Sequence, residues 1–146
     1  MRVVILPTEQ EASDFAADFI EKLIIEKENA VLGLATGSSV LLTYEALIKK
    51  YQSGEMSFKN ITTFNLDEYI GLQPDHTQSY RHYMNRKLFN HIDIDHKKTY
   101  IPECFNKDYE SSCESYESKV RENGGIDLQL LGIGTNGHIG FNEPTS

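Results

Sequence analysis

Three short segments of this 146-residue sequence hold residue types that can move protons or grip an anion. In Gly132-Ile133-Gly134-Thr135-Asn136-Gly137-His138, a glycine-rich run brings backbone close to a small ligand and presents Asn136, His138 and, further on, Glu143 toward it. An imidazole titrates near neutral pH and suits proton shuttling, with Glu143 able to orient or recharge it. In Asn65-Leu66-Asp67-Glu68-Tyr69, two adjacent carboxylates end an apolar run, and alternation sends them to opposite sides if the strand persists. One can face a crevice as a general base with its pKa raised by burial, while the other makes structural hydrogen bonds. In Leu34-Ala35-Thr36-Gly37-Ser38-Ser39, small residues and hydroxyls sit where backbone N–H groups and a helix N-terminus can hold a phosphate.

Each segment also has a plainer account. Ser38 or Ser39 serves equally as an ordinary helix N-cap, Asp67-Glu68 as a solvated loop pair, and a lone histidine as a structural residue. The first loop is not a nucleotide-triphosphate loop, because no Lys follows Gly37. Gly132-x-Gly134-x-x-Gly137 formally meets the dinucleotide fingerprint, but no helical stripe runs from His138 to Pro144, and the fingerprint's distal acidic residue is missing. His76, His82, His91 and His96 read as surface or packing residues. Cys104 and Cys113 lack the paired spacing of a zinc site and read as reduced thiols, so no metal is expected from them.

The elements that must position these segments alternate. Val3 to Leu6 reads as a strand ended by Pro7, followed from Glu9 by a helix with Phe15, Ala16, Phe19, Ile20, Leu23 and Ile24 on its apolar face. Ala30 to Leu34 is a second strand, and Val40, Leu41, Tyr44, Leu47, Ile48 and Tyr51 mark a helix that Gly54 stops. Ile61 to Leu66 is a third strand. Tyr80 to Phe89 carries a helical stripe, Thr99 to Ile101 a short strand, Tyr109 to Val120 a helix closed by Asn123-Gly124-Gly125, and Asp127 to Ile133 a last strand. Strands alternating with long crossovers require a doubly wound, mainly parallel α/β sheet with helices on both faces. Ligands bind beyond the carboxyl ends of such strands, where all three segments fall.

Composition narrows the class further. With 14 basic against 22 acidic residues the formal charge is -8, which argues against general nucleic-acid or anionic-membrane binding. There is no long apolar run and no leader-like N-terminus, so a single domain over residues 1–146 in the cytoplasm is expected.

Leu32-Gly33-Leu34-Ala35-Thr36-Gly37, Phe64-Asn65-Leu66-Asp67-Glu68-Tyr69-Ile70-Gly71-Leu72 and Leu131-Gly132-Ile133-Gly134-x-Asn136-Gly137-His138-Ile139-Gly140-Phe141-Asn142-Glu143-Pro144, with Gln78-Ser79-Tyr80 between them, together resemble the glucosamine-6-phosphate deaminase family over essentially the whole chain. The resemblance implies a modified Rossmann-type fold. It also implies conversion of glucosamine 6-phosphate and water to fructose 6-phosphate and ammonium in amino-sugar catabolism, with no cofactor and no metal. By motif position, Asp67 corresponds to the base that moves a proton between C2 and C1. Asn136, His138 and Glu143 correspond to the ring-opening group, and Thr36, Gly37, Ser38 and Ser39 to part of the phosphate-binding loop. Many members carry Asp where this chain has Asn136, so Asn136 is expected to orient His138 rather than to act as an acid or base. Members are considerably longer, so the chain is expected to be the N-terminal part of such an enzyme, lacking its C-terminal portion and weakly active at best alone. Its partner is a small phosphosugar, and its oligomeric state is open. A 6-phosphogluconolactonase-like hydrolase and a non-catalytic sugar-phosphate sensor on the same fold are the alternatives.

Overall fold

The computed structural model of the chain describes residues 1–103 and 108–144. Cys104, one of the two expected thiols, lies outside the described residues; Cys113 is a free, exposed cysteine. The elements are α1 (Glu9–Glu26), β1 (Val31–Leu34), α2 (Leu41–Gln52), β2 (Thr62–Asn65), α3 (Tyr80–Lys87), β3 (Thr99–Tyr100), α4 (Tyr109–Glu122) and β4 (Leu128–Gln129), with a 3-10 turn at Ser38–Val40 leading into α2. The four strands form one parallel sheet in the order β3-β2-β1-β4.

β1 sits at the centre and is buried at all four positions, as its unbroken apolar sequence Val-Leu-Gly-Leu requires of a strand covered on both faces. Its Leu32 and Leu34 join Ala17, Ile20 and Ile24 of α1, Tyr44 and Leu47 of α2, and Met84 of α3 in a single core. Full burial of each large side chain there contributes roughly 1.5–3 kcal/mol. On the opposite face, Phe64 of β2 stacks on Tyr100 of β3 at 4.8 Å and meets Tyr116 of α4 edge-on at 5.7 Å. Helices therefore cover both faces, in the doubly wound arrangement expected from the alternation of elements.

The chain steps outward from β1 to β2 and β3, then returns through α4 to place β4 on the other side of β1. That reversal opens the sheet between the carboxyl ends of β1 and β4, the position at which doubly wound sheets bind ligands. The loops after β1, β4 and β2 surround this crevice, and they are the three segments with chemical potential.

Four expectations are corrected. Val3 to Leu6 is not a strand: among the described residues no neighbour pairs with it, and Val3 and Ile5 stand exposed, since an apolar run becomes a strand only where a free edge accepts it. The buried stripe of α1 is Ser13, Ala17, Ile20 and Ile24, which turns Phe19 outward against Phe15 at 5.4 Å. α1 packs against α2, and small residues such as Ser13 and Ala17 on that face let the two helices approach. The last strand shrinks to Leu128–Gln129, because Asp127 is drawn into a bidentate ion pair with Lys27 at 2.8 Å and also accepts the Val31 N–H at 2.8 Å. Leu130 still donates its N–H to the Gly33 carbonyl at 2.8 Å, and beyond it Leu131 and Ile133 are exposed. Finally, neither Ser38 nor Ser39 caps a helix: Gly37 occupies the N-cap of the 3-10 turn and Val40 that of α2, neither with a side-chain cap bond.

Candidate active site

The first loop keeps its carbonyls tied back. Tyr44 donates a short hydrogen bond to the Ala35 carbonyl, and Tyr83 donates to the Gly37 carbonyl at 2.6 Å. Burial pushes both tyrosine hydroxyls up, Tyr83 to about 12, so both stay protonated donors at neutral pH. Gly37 adopts φ 101, a left-handed conformation open to glycine, which turns the chain into the 3-10 turn. The first N–H groups of that turn have no intrahelical partner, and Ser38 and Ser39 are exposed with hydroxyls not used for capping. Thr36, Gly37, Ser38 and Ser39 all line one cavity of about 660 Å³.

The carboxylate pair divides its tasks by position. Asp67 lines the same cavity and is half-buried; desolvation, helped by the neighbouring Glu68 charge, pushes its carboxyl above the usual range. Glu68 is buried and turns away, accepting the N–H groups of Tyr69 at 2.8 Å, Tyr80 at 2.9 Å and Arg81 at 3.1 Å. It thereby satisfies the first free donors of α3, alongside Ser79, whose Oγ accepts the His82 N–H at 3.0 Å.

The third loop folds on itself around His138. Gly137 (φ 87) turns the chain so that Gly134 N–H donates to the His138 carbonyl at 2.9 Å. The imidazole lies against Gly134 so closely that a Cβ there would come within 2.2 Å of it. Asn136 Oδ1 accepts from His138 Nδ1 at 2.6 Å, and Asn136 Nδ2 donates to Glu143 Oε2 at 2.6 Å. Glu143 Oε1 is 3.6 Å from His138 Nδ1. His138 lines the cavity; Asn136 and Glu143 are exposed beside it and meet His138 from outside the cavity lining.

Glycines fix how closely the three loops approach. A Cβ on Gly132 would lie 2.1 Å from Ser39 Oγ, and one on Gly140 (φ 61) would lie 2.9 Å from Asp67 Oδ2. The structure therefore gathers the anion loop, Asp67 and His138 around one cavity. It also adds a residue to which the sequence reading gave a place in a helical stripe and in the Gln78-Ser79-Tyr80 resemblance but no role at the site: Tyr80, which lines the cavity and whose hydroxyl, raised by desolvation, donates to Tyr69 at 3.4 Å beside Thr36. Glu9, Ala12 and Ser13 at the start of α1 close another wall, held there by the capping box of Thr8 and Glu11.

This geometry combines a turn with free N–H groups, a half-buried carboxylate and an imidazole held by an amide around one cavity. Residues 8–140 match the model of the glucosamine-6-phosphate isomerases/6-phosphogluconolactonases. The chain belongs to this family. It is 52% identical over 147 residues to a glucosamine-6-phosphate deaminase of Colwellia psychrerythraea, covering 100% of this chain and 55% of that protein. It is 54% identical over 144 residues to one from Thermoanaerobacter sp. strain X514, covering 99% and 57%. Among solved structures, a monomeric glucosamine-6-phosphate deaminase superposes with a TM-score of 0.94 at 49% identity, over 100% of this chain and 61% of that one. A 6-phosphogluconolactonase from Thermotoga maritima superposes with a TM-score of 0.72 at 28% identity, over 88% and 59%. The chain thus spans little more than half the length of the curated family members it matches. Among the described residues, no helix is long and apolar enough to cross a membrane.

Proposed function

We propose that the chain supplies the acid–base half of a glucosamine-6-phosphate deaminase, which acts in the cytoplasm on a phosphosugar without a cofactor or metal. The observation that carries this is the pairing, around one cavity, of a carboxylate raised by burial with an imidazole oriented through Asn136 and Glu143. An aldose–ketose isomerisation needs both: one group to open the ring and one to carry a proton between adjacent carbons. Identity of about half with named deaminases over the whole chain supports it.

In this scheme the sugar phosphate enters the N–H cradle of Thr36 to Ser39. His138 gives a proton to the ring oxygen and, with the same imidazole, takes one from the C1 hydroxyl, leaving the open-chain aldehyde. Asp67 removes the C2 proton as the aldehyde oxygen gains one, giving an enolamine, and returns it at C1 as the amine loses one, so that C1 becomes a hydroxymethyl group and the C2 amine an imine of the ketose. Water adds to that imine and ammonia leaves, taking a proton to become ammonium, and fructose 6-phosphate remains. Asp67 can reach both carbons because the carboxyl end of β2 holds it rigidly against Gly140.

Incubating the purified protein with glucosamine 6-phosphate and measuring ammonium together with fructose 6-phosphate tests the proposal. Equimolar release supports it. Hydrolysis of 6-phosphogluconolactone with no ammonium from the amino sugar replaces it with the lactonase alternative, and phosphosugar binding with neither reaction replaces it with a sensor.

A further inference from the structure

Tyr80 touches all three loops of the cavity. Its ring centroid lies 4.9 Å from that of Tyr69, just after Asp67, and 5.6 Å from that of Phe141, on the loop that carries His138 and Glu143. Tyr69 and Phe141 also meet directly at 5.1 Å, so the three rings form a closed triangle across the two loops. The Tyr80 hydroxyl donates to the Tyr69 hydroxyl at 3.4 Å and lies beside the Thr36 side chain of the first loop. Tyr80 itself is fixed from behind: its N–H donates to buried Glu68, and it opens the rigid helix α3 behind the Ser79 cap.

The other two rings belong to irregular segments. Tyr69 and Phe141 are about half exposed, and among the described residues the loop beyond β4 is tied internally by three backbone bonds, Gly134 to His138, Gly137 to Gly134 and Asn142 to Ile139, besides the side-chain bonds of Asn136, His138, Asn142 and Glu143. A loop of this kind keeps a catalytic geometry only where packing holds it. Ring pairs at these separations contribute through both area and edge or offset contact.

We propose that Tyr80 is a positioning residue, whose ring, carried at the start of α3 by a backbone N–H held on the Glu68 carboxylate, clamps the His138 loop through Phe141 onto the Asp67 loop through Tyr69. The inference rests on the acid–base roles proposed above for Asp67 and His138. It assigns the ring, and not the hydroxyl, to the task, so Phe replaces Tyr80 with little loss and an aliphatic residue does not.

The test compares Tyr80→Phe, Tyr80→Leu and, from the other side of the triangle, Phe141→Leu in the purified protein. Ammonium release from glucosamine 6-phosphate should show kcat reduced about 10- to 100-fold in both Leu variants, the cost of a misplacement of about 1 Å, with KM little changed and Tyr80→Phe near the parent. Amide hydrogen exchange over residues 134–142 should accelerate in both Leu variants and not in Tyr80→Phe, which is readable whether or not the substrate is turned over. An inactive parent protein would overturn the functional proposal alone, since exchange still decides the clamp. Unchanged exchange and unchanged kcat in Tyr80→Leu and Phe141→Leu would overturn the clamp. So would equal losses of kcat in Tyr80→Phe and Tyr80→Leu, which would assign the hydroxyl a direct part in the reaction.

Discussion

His138 Nδ1 and Asn136 Oδ1 stand 2.6 Å apart, while the amide nitrogen of Asn136 donates to Glu143 at 2.6 Å. An amide whose nitrogen is committed to a carboxylate has only its oxygen to offer the ring, so Nδ1 carries a hydrogen and Nε2 is left for proton exchange. Asn136 therefore orients the imidazole and relays the Glu143 charge to it without itself changing protonation. In Asn136→Ala this connection is lost; kcat for ammonium release should fall about 100-fold, within the range that positioned acid–base groups contribute, with KM little affected. Steady-state kinetics on the two proteins check it.

Asp67 couples activity and stability with opposite signs. Burial raises its folded-state pKa above that of the unfolded chain. Between those two values the folded protein binds more protons, so stability falls as pH rises through the window and the cost persists at neutral pH. Asp67→Asn removes that cost. Its melting temperature should exceed the parent's at pH 7, and the difference should shrink as pH is lowered through the window, as thermal melts at several pH values would show. The acid limb of kcat/KM should likewise lie above the ordinary carboxylate value of about 4, because the base must be ionised.

Gly140 sets the distance between two loops. A methyl group there would lie 2.9 Å from Asp67 Oδ2 and 2.8 Å from Leu66 Cδ2, on a residue that also needs φ 61. Gly140→Ala should lower kcat about 10-fold or more by displacing the carboxylate, with a loss of stability of about 1–2 kcal/mol from the left-handed backbone. Kinetics and denaturant melts measure the two effects separately.

Gly37 makes the opposite case, because nothing lies within 4 Å of where its Cβ would stand, yet φ is 101. Gly37→Ala meets no clash and only backbone strain, about 1–2 kcal/mol. The relaxation turns the N–H groups of the anion loop, so the expected signature is a raised KM for the phosphosugar with a smaller change in kcat. A phosphate-free amino sugar should show no such change.

The architecture was legible in the chain because its alternation leaves one solution: apolar runs such as Val31–Leu34, buried on both faces, must be joined by long crossovers. Ends were less legible. Val3 to Leu6 has a strand's composition but pairs with no strand among the described residues, and Asp127 looks like the first residue of a strand while its carboxylate serves Lys27 and Val31. At the site Asp67 and Glu68 do part company, but β2 ends at Asn65, so the bonds of Glu68 to Tyr69, Tyr80 and Arg81 separate them rather than strand alternation; the glycines of the third loop signal close approach. Nothing local could show that Ser38 and Ser39 leave the capping position to Gly37 and Val40. Tyr80 was hidden for a related reason: in sequence it is one more aromatic residue on a helix, and only the folding of α3 against the strand ends brings it between Tyr69 and Phe141.

The central claim is that Asp67 transfers a proton between neighbouring carbons of a bound amino-sugar phosphate. Turnover of glucosamine 6-phosphate in D2O, with mass analysis of the fructose 6-phosphate formed, tests it most directly when the parent is compared with Asp67→Asn. The account predicts that the parent product carries at C1 the hydrogen removed from C2, diluted by solvent deuterium only so far as the Asp67 carboxyl exchanges before returning it, and for Asp67→Asn no product although the phosphosugar still binds within about an order of magnitude of the parent. Ammonium and fructose 6-phosphate formed by Asp67→Asn at the parental rate would contradict it.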